Sequence, residues 1–374
     1  MKSARTAFSA FLQLACATAL LCSSSVFAAE TLRVLNWSSY IAPDVIKGFE
    51  SRYNAKVDYV EYESVEDFGN RFLEANSHFD VIFPASRMLP AMVDAKLVRP
   101  LDTKKLPNLA GLNGYISKEF RAQNSDDWYG VPYMWGTTGL GVNKALLSNA
   151  GVAPQEMSWA LLFDPAVRAK AAKCGIIVLN ERDELFAAAL RYKGQSINTV
   201  TATALNDAGT LIKEAMPDIR YLRSDGYVDA LLSGEACVVM GYSGDILTAI
   251  DDQPQLSYVI PEQGAAMWID VMAIPASSEH EELAYAFINY LMEAQNAATN
   301  SSYLKYPTAM ASALPLVERS VQDRPEVYPS VQVLSKLETM RPMPADTNRV
   351  LHRLWTKAVC SSGKYCSAPV NSLF

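Results

Sequence analysis

Between residues 30 and 143 the chain alternates short apolar runs with amphipathic stretches. Leu32, Val34 and Leu35 read as a strand that breaks into a polar, aromatic turn, Asn36-Trp37-Ser38-Ser39-Tyr40. Pro43 then opens a helix to about Ser51, because a first helical turn has no use for the N–H that proline lacks. Residues 56–61 alternate like a strand. Ser64, with Asp67 three residues on, resembles a capping box and predicts a helix to about Ala75. Residues 79–83 form a compact apolar strand ended by Pro84, and Ser86 is placed to cap a helix over 87–95. The order β-α-β-α-β-α predicts a parallel sheet with right-handed crossovers. Trp37 falls at the carboxyl end of the first strand, where open α/β sheets place their ligands.

Residues 101–128, rich in Asn, Gly and Lys, predict irregular surface structure. Residues 129–143 (YGVPYMWGTTGLGVN) predict an extended segment with three glycines after Trp135. A second series follows, with strands over 175–179, 219–222 and 236–240 and helices over 183–192, 201–215, 225–232 and 244–250. A glycine-rich extended segment between two α/β units is a candidate crossing strand in which small residues absorb backbone rotation. Residues 267–273 (MWIDVMA) give a third extended piece before a helix over 281–294, and the remainder to Phe374 reads as mainly helical with Pro-rich turns.

Composition adds a compartment. Lys2 and Arg5 precede an apolar run from Phe8 to Leu21 that is short for a membrane span, and Val26-Phe27-Ala28 supplies small residues for cleavage, so residues 1–28 read as a signal peptide. Cys22 follows Leu20-Leu21 rather than the small residues that precede a lipid-attachment cysteine. Removing Lys2 and Arg5 and no acid takes the formal net charge from −7 to −9. An acidic exported chain lacks the basic face of a nucleic-acid binder. Four cysteines remain, Cys174, Cys237, Cys360 and Cys366, and an even number in an oxidising compartment favours disulfides. Cys174 and Cys237 each open an apolar run that neighbouring strands could bring together, while Cys360 and Cys366 flank a flexible turn. His78, His280 and His352 have no zinc-ligand spacing to another His or a Cys, so neither a metal nor another cofactor is expected.

Three strand-to-turn junctions set aromatics beside acids or hydroxyls: Trp37-Ser38-Ser39-Tyr40, Gly241-Tyr242-Ser243-Gly244-Asp245 and Trp268-Ile269-Asp270. In the second, Gly241 and Gly244 bracket a tight turn and Asp245 stands where a helix begins, a place that also suits a cap. In the third, Asp270 interrupts an apolar strand, where a carboxylate is costly unless a protein partner or a cationic ligand compensates it. Glu184, beside Asp183, starts a helix that a negative charge would favour in any case. Aromatic faces with separate carboxylates suit an organic ammonium, each ring giving roughly 0.5–2 kcal/mol of cation–π attraction. Gly241-Tyr242-Ser243-Gly244 is not the nucleophile elbow of a hydrolase, so an enzyme is not expected.

The same junctions carry a resemblance. The opening Asn-Trp-Ser-x-Tyr-Ile-x-Pro, Phe79-Asp80 with its Pro-ended strand, Pro132-Tyr133-Met134-Trp135-Gly136-Thr137-Thr138-Gly139, the turn at 241–245 and the strand at 268–270 occur in this order. In this the chain resembles the periplasmic polyamine-binding proteins, the putrescine and spermidine binders of bacterial ABC importers. The resemblance implies an α/β, two-lobed periplasmic binding protein fold of type II, with two crossing strands between the lobes. Lobe one would hold 30–135 plus 255–303, and lobe two 136–254 plus 304–374. It implies a monomer in the periplasm that carries a small cationic ligand to an inner-membrane permease. Carried over position by position, Trp37, Ser38, Tyr242, Asp245, Trp268, Asp270 and Tyr306 would line the cleft, with Glu184 reaching the ligand through water and Cys174 bonded to Cys237; Ser39, Tyr40, Ser86 and Arg87 are further candidate ligand contacts beside them. Two departures stand out: Ser39 replaces the usual acid, and Tyr242 the common Trp. Arg87 also stands where small or neutral residues are usual. Were Arg87 to point inward, one end of the cleft would suit a carboxylate, as in an ω-amino acid such as 4-aminobutyrate or 5-aminovalerate; agmatine is a further alternative.

Overall fold

The computed structural model of the protein describes residues 29–74, 77–124, 127–251, 253–361 and 363–365. The expected signal peptide, residues 1–28, and Cys366 of the expected Cys360/Cys366 pair lie outside the described residues. Strand β1 (Glu30–Trp37) is the middle of three parallel strands, followed by α1 (Pro43–Tyr53), β2 (Ala55–Tyr62), α2 (Val65–Phe72) and β3 (Val81–Ile82), in the order β2-β1-β3. Leu32, Val34 and Leu35 are fully buried, as their spacing predicts. At the start of α2, Ser64 Oγ accepts the Asp67 N–H at 3.0 Å, while the short Asp67 side chain reaches back to the N–H of Glu63. Beyond β3 the helical turn Ser86–Met88 is capped at Ala85 without a side-chain bond, and α3 (Leu89–Asp94) follows. Ser86 is not the expected cap: it is buried, and its hydroxyl donates to Gln123 Oε1 at 3.0 Å. Within the stretch expected to be irregular, Asn113 caps α4 (Gly114–Arg121) through its own side chain.

The chain then runs through β4 (Val131–Asn143), α5 (Lys144–Asn149), α6 (Pro165–Ala171), β5 (Ile176–Val178), α7 (Arg182–Tyr192), α8 (Ala202–Ala215), β6 (Tyr221–Leu222), α9 (Tyr227–Ser233), β7 (Val238–Tyr242), α10 (Ser243–Ala249), β8 (Leu256–Val259), β9 (Ala266–Met272), α11 (Glu281–Leu291), α12 (Ala294–Leu304), β10 (Glu338–Thr339) and α13 (Ala345–Ser361). Strand β4 is buried along its whole length and belongs to both halves of the molecule. Its first part pairs antiparallel with β9, which is bridged to the three-stranded sheet at Ile82–Ala273 and Ala85–Asp270. Its second part pairs with β7 on one edge and β8 on the other, and β7, β5 and β6 complete the second sheet. The fold is therefore two-lobed, as expected; of the two crossings expected as strands, β4 is one, and the other is the link between β8 and β9, residues 260–265, which is not a strand.

The lobe boundaries differ from those expected. Strand β8 pairs with the second half of β4, so residues 256–259 go with lobe two. After α12 the chain stays with lobe one: the Trp135 N–H donates to Pro307 O, the Ala309 N–H donates to Tyr133 O, and Thr308 bridges to Met134. It settles in lobe two with α13, which packs on α7 and α8. Gly136, expected to ease backbone rotation, has a different reason. A Cβ there would lie 2.4 Å from a ring atom of Trp268, so the glycine lets the indole lie against β4.

Cys174 and Cys237 form the disulfide that the resemblance implies, with Cα atoms 5.4 Å apart, joining the starts of β5 and β7. The bond closes a loop of sequence separation 63, and restricting an unfolded loop of that size stabilises by roughly 4 kcal/mol. Replacing both cysteines by serine is expected to lower the melting temperature by several degrees in calorimetry while leaving the cleft intact.

Candidate ligand-binding site

A cavity of ≈ 550 Å³ lies between the lobes. The end of β1 supplies Trp37, Ser38, Ser39 and Tyr40, β9 supplies Trp268 and Asp270, and the chain past α12 supplies Tyr306; α7, β7 and α10 supply Glu184, Tyr242 and Asp245. Trp268 and Asp270, two apart on a strand, share a face. Lys305, in the left-handed conformation (φ 55), ends α12 and turns Tyr306 inward. The rings meet edge to face in a chain: Tyr242–Trp268 at 5.9 Å, Trp268–Tyr306 at 5.1 Å and Tyr306–Tyr40 at 5.3 Å. Ser39 is turned out of its usual backbone region (φ 54), and its N–H donates to Glu61 Oε1 at 2.7 Å. Ser86 does not line the cavity; its hydroxyl is spent on Gln123.

Two carboxylates mark different parts of the wall. Asp245 is not a helix cap: Tyr242 holds that position and Asp245 lies within the first turn of α10. Its oxygens accept the Tyr306 hydroxyl at 2.6 Å and the Tyr227 hydroxyl at 2.7 Å, and burial raises its pKa against these two bonds. The glycines of this junction do not make a tight turn, because β7 runs directly into α10. A Cβ at Gly241 would lie 2.3 Å from the Tyr227 ring and one at Gly244 2.5 Å from the Tyr306 ring, so both make room for the tyrosines that hold Asp245.

Asp270 is only 5% exposed, and burial pushes its carboxyl up to about 8, opposed by Tyr40, Arg87 and Trp37. The Tyr40 hydroxyl and Trp37 Nε1 stand near it, yet neither closes a hydrogen bond of good geometry. Glu184 is likewise buried, which pushes its carboxyl up to about 7; Thr138 and Arg87 oppose the shift, and Glu184 Oε2 has no partner. Unpartnered buried polar atoms are uncommon in folded proteins, and here residues bearing four of them, Trp37 Nε1, Tyr40 Oη, Glu184 Oε2 and Trp268 Nε1, line the same cavity from both lobes.

Arg87 is not solvated on its helix. Its side chain is 20% exposed and reaches from lobe one to Asp183 of α7, with Nη1 3.6 Å from Oδ2, an ion pair too long for a hydrogen bond. Burial disfavours its charge, but Asp183, Glu181 and Glu184 together hold its pKa above the ordinary value. Burial would also raise Asp183; Arg87 and Arg182 outweigh it and hold that carboxyl below its usual range.

With this geometry in view, the comparisons are specific. Residues 44–329 match the family model described as bacterial extracellular solute-binding protein. The chain belongs to that family. Among its relatives is the putrescine-binding periplasmic protein SpuD of Pseudomonas aeruginosa (strain UCBPP-PA14), 35% identical over 343 residues that cover 90% of this chain and 93% of that protein. The putrescine-binding periplasmic protein PotF of Escherichia coli (strain K12) is 34% identical over 346 residues, covering 90% and 92%. The solved structure of the spermidine/putrescine ABC transporter substrate-binding protein PotD from Streptococcus pneumoniae shares the fold, with a TM-score of 0.75 at 23% identity over 89% of this chain and 100% of that one.

Sequence reasoning missed Tyr62 and Tyr227. Tyr62 lies under Trp37, ring centroids 4.4 Å apart, and its hydroxyl donates to Phe83 O at 2.6 Å. It ends β2 with no turn signature of its own. A signal for Tyr227 did exist: a glycine inside a strand marks a close approach, and Gly241 is where Tyr227 packs.

Proposed function

We propose that this member of the family is the periplasmic polyamine-binding component of an ABC importer, capturing a diamine such as putrescine in the interlobe cleft. In this reading the lobes close on the ligand and the closed form delivers it to the inner-membrane permease. The observation that carries the reading is the pairing of an aromatic wall with two carboxylates, Asp245 open to the cleft and Asp270 buried in its wall, that, among the described residues, form no ion pair with Lys or Arg. Ammonium groups compensate such carboxylates, and the rings add attraction for the cation and its methylenes. The relatives named for putrescine support the same chemistry. Export by the segment 1–28 is part of the proposal.

A ligand carboxylate is the weaker reading, since Arg87, the cation that would receive it, already faces three acids of lobe two. Thermal shift and calorimetry with putrescine, cadaverine, spermidine, agmatine, 4-aminobutyrate and 5-aminovalerate test this. Diamines are expected to raise the melting temperature, because only a ligand that prefers the folded form does so. No response to any polyamine would overturn the proposal.

A further inference from the structure

We infer that Arg87 sets the upper length of the ligand: its guanidinium stands where the third cationic group of a longer polyamine would lie, so the cleft takes diamines and turns away triamines. The inference rests on the polyamine reading above and concerns selectivity within it.

Arg87 is a wall common to three cavities. These are the ≈ 550 Å³ cleft, a ≈ 410 Å³ chamber bordered by Glu66, Glu181 and Asp183, and a ≈ 200 Å³ pocket of mixed lining against Phe186 and Leu190. Besides Glu63, Asp225 and Asp229, the cleft wall carries carboxylates at Asp245, at Asp270 and at the start of α7. The first two, Asp245 and Asp270, have no ion-pair partner among the described residues. The third, the group Glu181, Asp183 and Glu184, has Arg87 in front of it, paired to Asp183 across the lobes.

Two open carboxylates suit the two ammoniums of a diamine. A third ammonium drawn to Glu181 and Glu184 would enter space that a cation of the protein already holds, and like charges in a partly buried site repel. The acids themselves remain in demand: Glu184 Oε2 has no partner, and burial pushes Glu181 up to about 7 in spite of Arg87. Arg87 therefore occupies the place without satisfying every acid there. Its loss would widen the contact between the outer chamber and the cleft, which also share Glu63, Val65, Ser224 and Asp225, and leave a cation site beside Glu181 and Glu184.

The test is calorimetry with putrescine and spermidine on the wild-type chain, Arg87→Gln and Arg87→Lys. Wild type is expected to prefer putrescine by about tenfold or more, a modest electrostatic discrimination. Arg87→Gln is expected to bind spermidine about tenfold more tightly, with putrescine changed by less than about threefold. Arg87→Lys keeps the charge and the preference. An unchanged ratio in Arg87→Gln overturns the inference, and so does wild type binding spermidine as tightly as putrescine, a result that needs no variant to fold. Tighter binding of 5-aminovalerate than of putrescine also overturns it, because Arg87 would then be reading a ligand carboxylate. Putrescine bound with an unaltered ratio sinks only the length gate, whereas no polyamine bound by wild type sinks the polyamine reading itself.

Discussion

Asp270→Asn is expected to weaken putrescine binding by roughly ten- to a hundredfold, since a hydrogen bond to a charged group contributes about 1.5–3 kcal/mol and each tenfold in affinity is about 1.4 kcal/mol. The upper end is favoured by what surrounds the group. Trp37 Nε1 and the Tyr40 hydroxyl face it as donors without partners, and the amide of asparagine would set further donors among them. Asp245→Asn should lose a similar amount at the other end of the ligand, where the tyrosines that donate to both oxygens have fixed the carboxylate in place. The ligand-free Asp270→Asn protein is expected to melt no lower than wild type at pH 9, above the value of about 8 to which burial pushes Asp270, because a buried charged carboxylate is there replaced by a neutral group of the same shape. Calorimetry for affinity and thermal shift for stability check the two statements separately. An unchanged dissociation constant in both variants would remove these residues from the site.

Affinity for a diamine should climb as pH rises from 6 to 8. Asp270 sits up to about 8 and Glu184 up to about 7, both through burial. Below those values the carboxyls are neutral and must release a proton to meet an ammonium, which costs up to about tenfold in affinity per pH unit for each group that titrates. The amine stays charged throughout, as a lysine does below ~10. Stability of the ligand-free protein should move the other way. A carboxyl whose folded pKa lies above its unfolded value near 4 contributes stability that is present at low pH and is lost as pH rises through the folded value. Its contribution therefore declines between about pH 4 and pH 8, and saturating putrescine should cancel the decline. Melting curves with and without ligand across this range, repeated on Asp270→Asn, read the effect; identical curves for the two proteins would contradict it.

The first hundred residues were legible because local rules and the global sheet agree there: Pro43 at the start of α1, Ser64 at the cap of α2, and apolar runs of strand length. The cleft was legible at Trp37, Asp245, Trp268 and Asp270, where a polar or aromatic residue breaks an apolar strand end and thereby announces a cost that something must offset. What failed is non-local. Strand β8 is four residues long and owes its place to the second half of β4. The chain past Lys305 stays with lobe one through bonds to Tyr133 and Trp135, which no spacing foretells. The direction of Arg87 is not written in its neighbours, and the deciding fact is Asp183, distant in sequence and on the other lobe. The glycines at 136, 241 and 244 were noticed for their flexibility, whereas their use is the space left for a particular ring.

Neither lobe is a single run of chain. Lobe one takes β9 back to join β3 to β4, and lobe two waits for α13 before α7 and α8 are covered. A ribosome has to deliver nearly the whole polypeptide before either half can close its core, and contacts so far apart in sequence form slowly. For a protein proposed to be threaded through a membrane while still unfolded, that delay is useful.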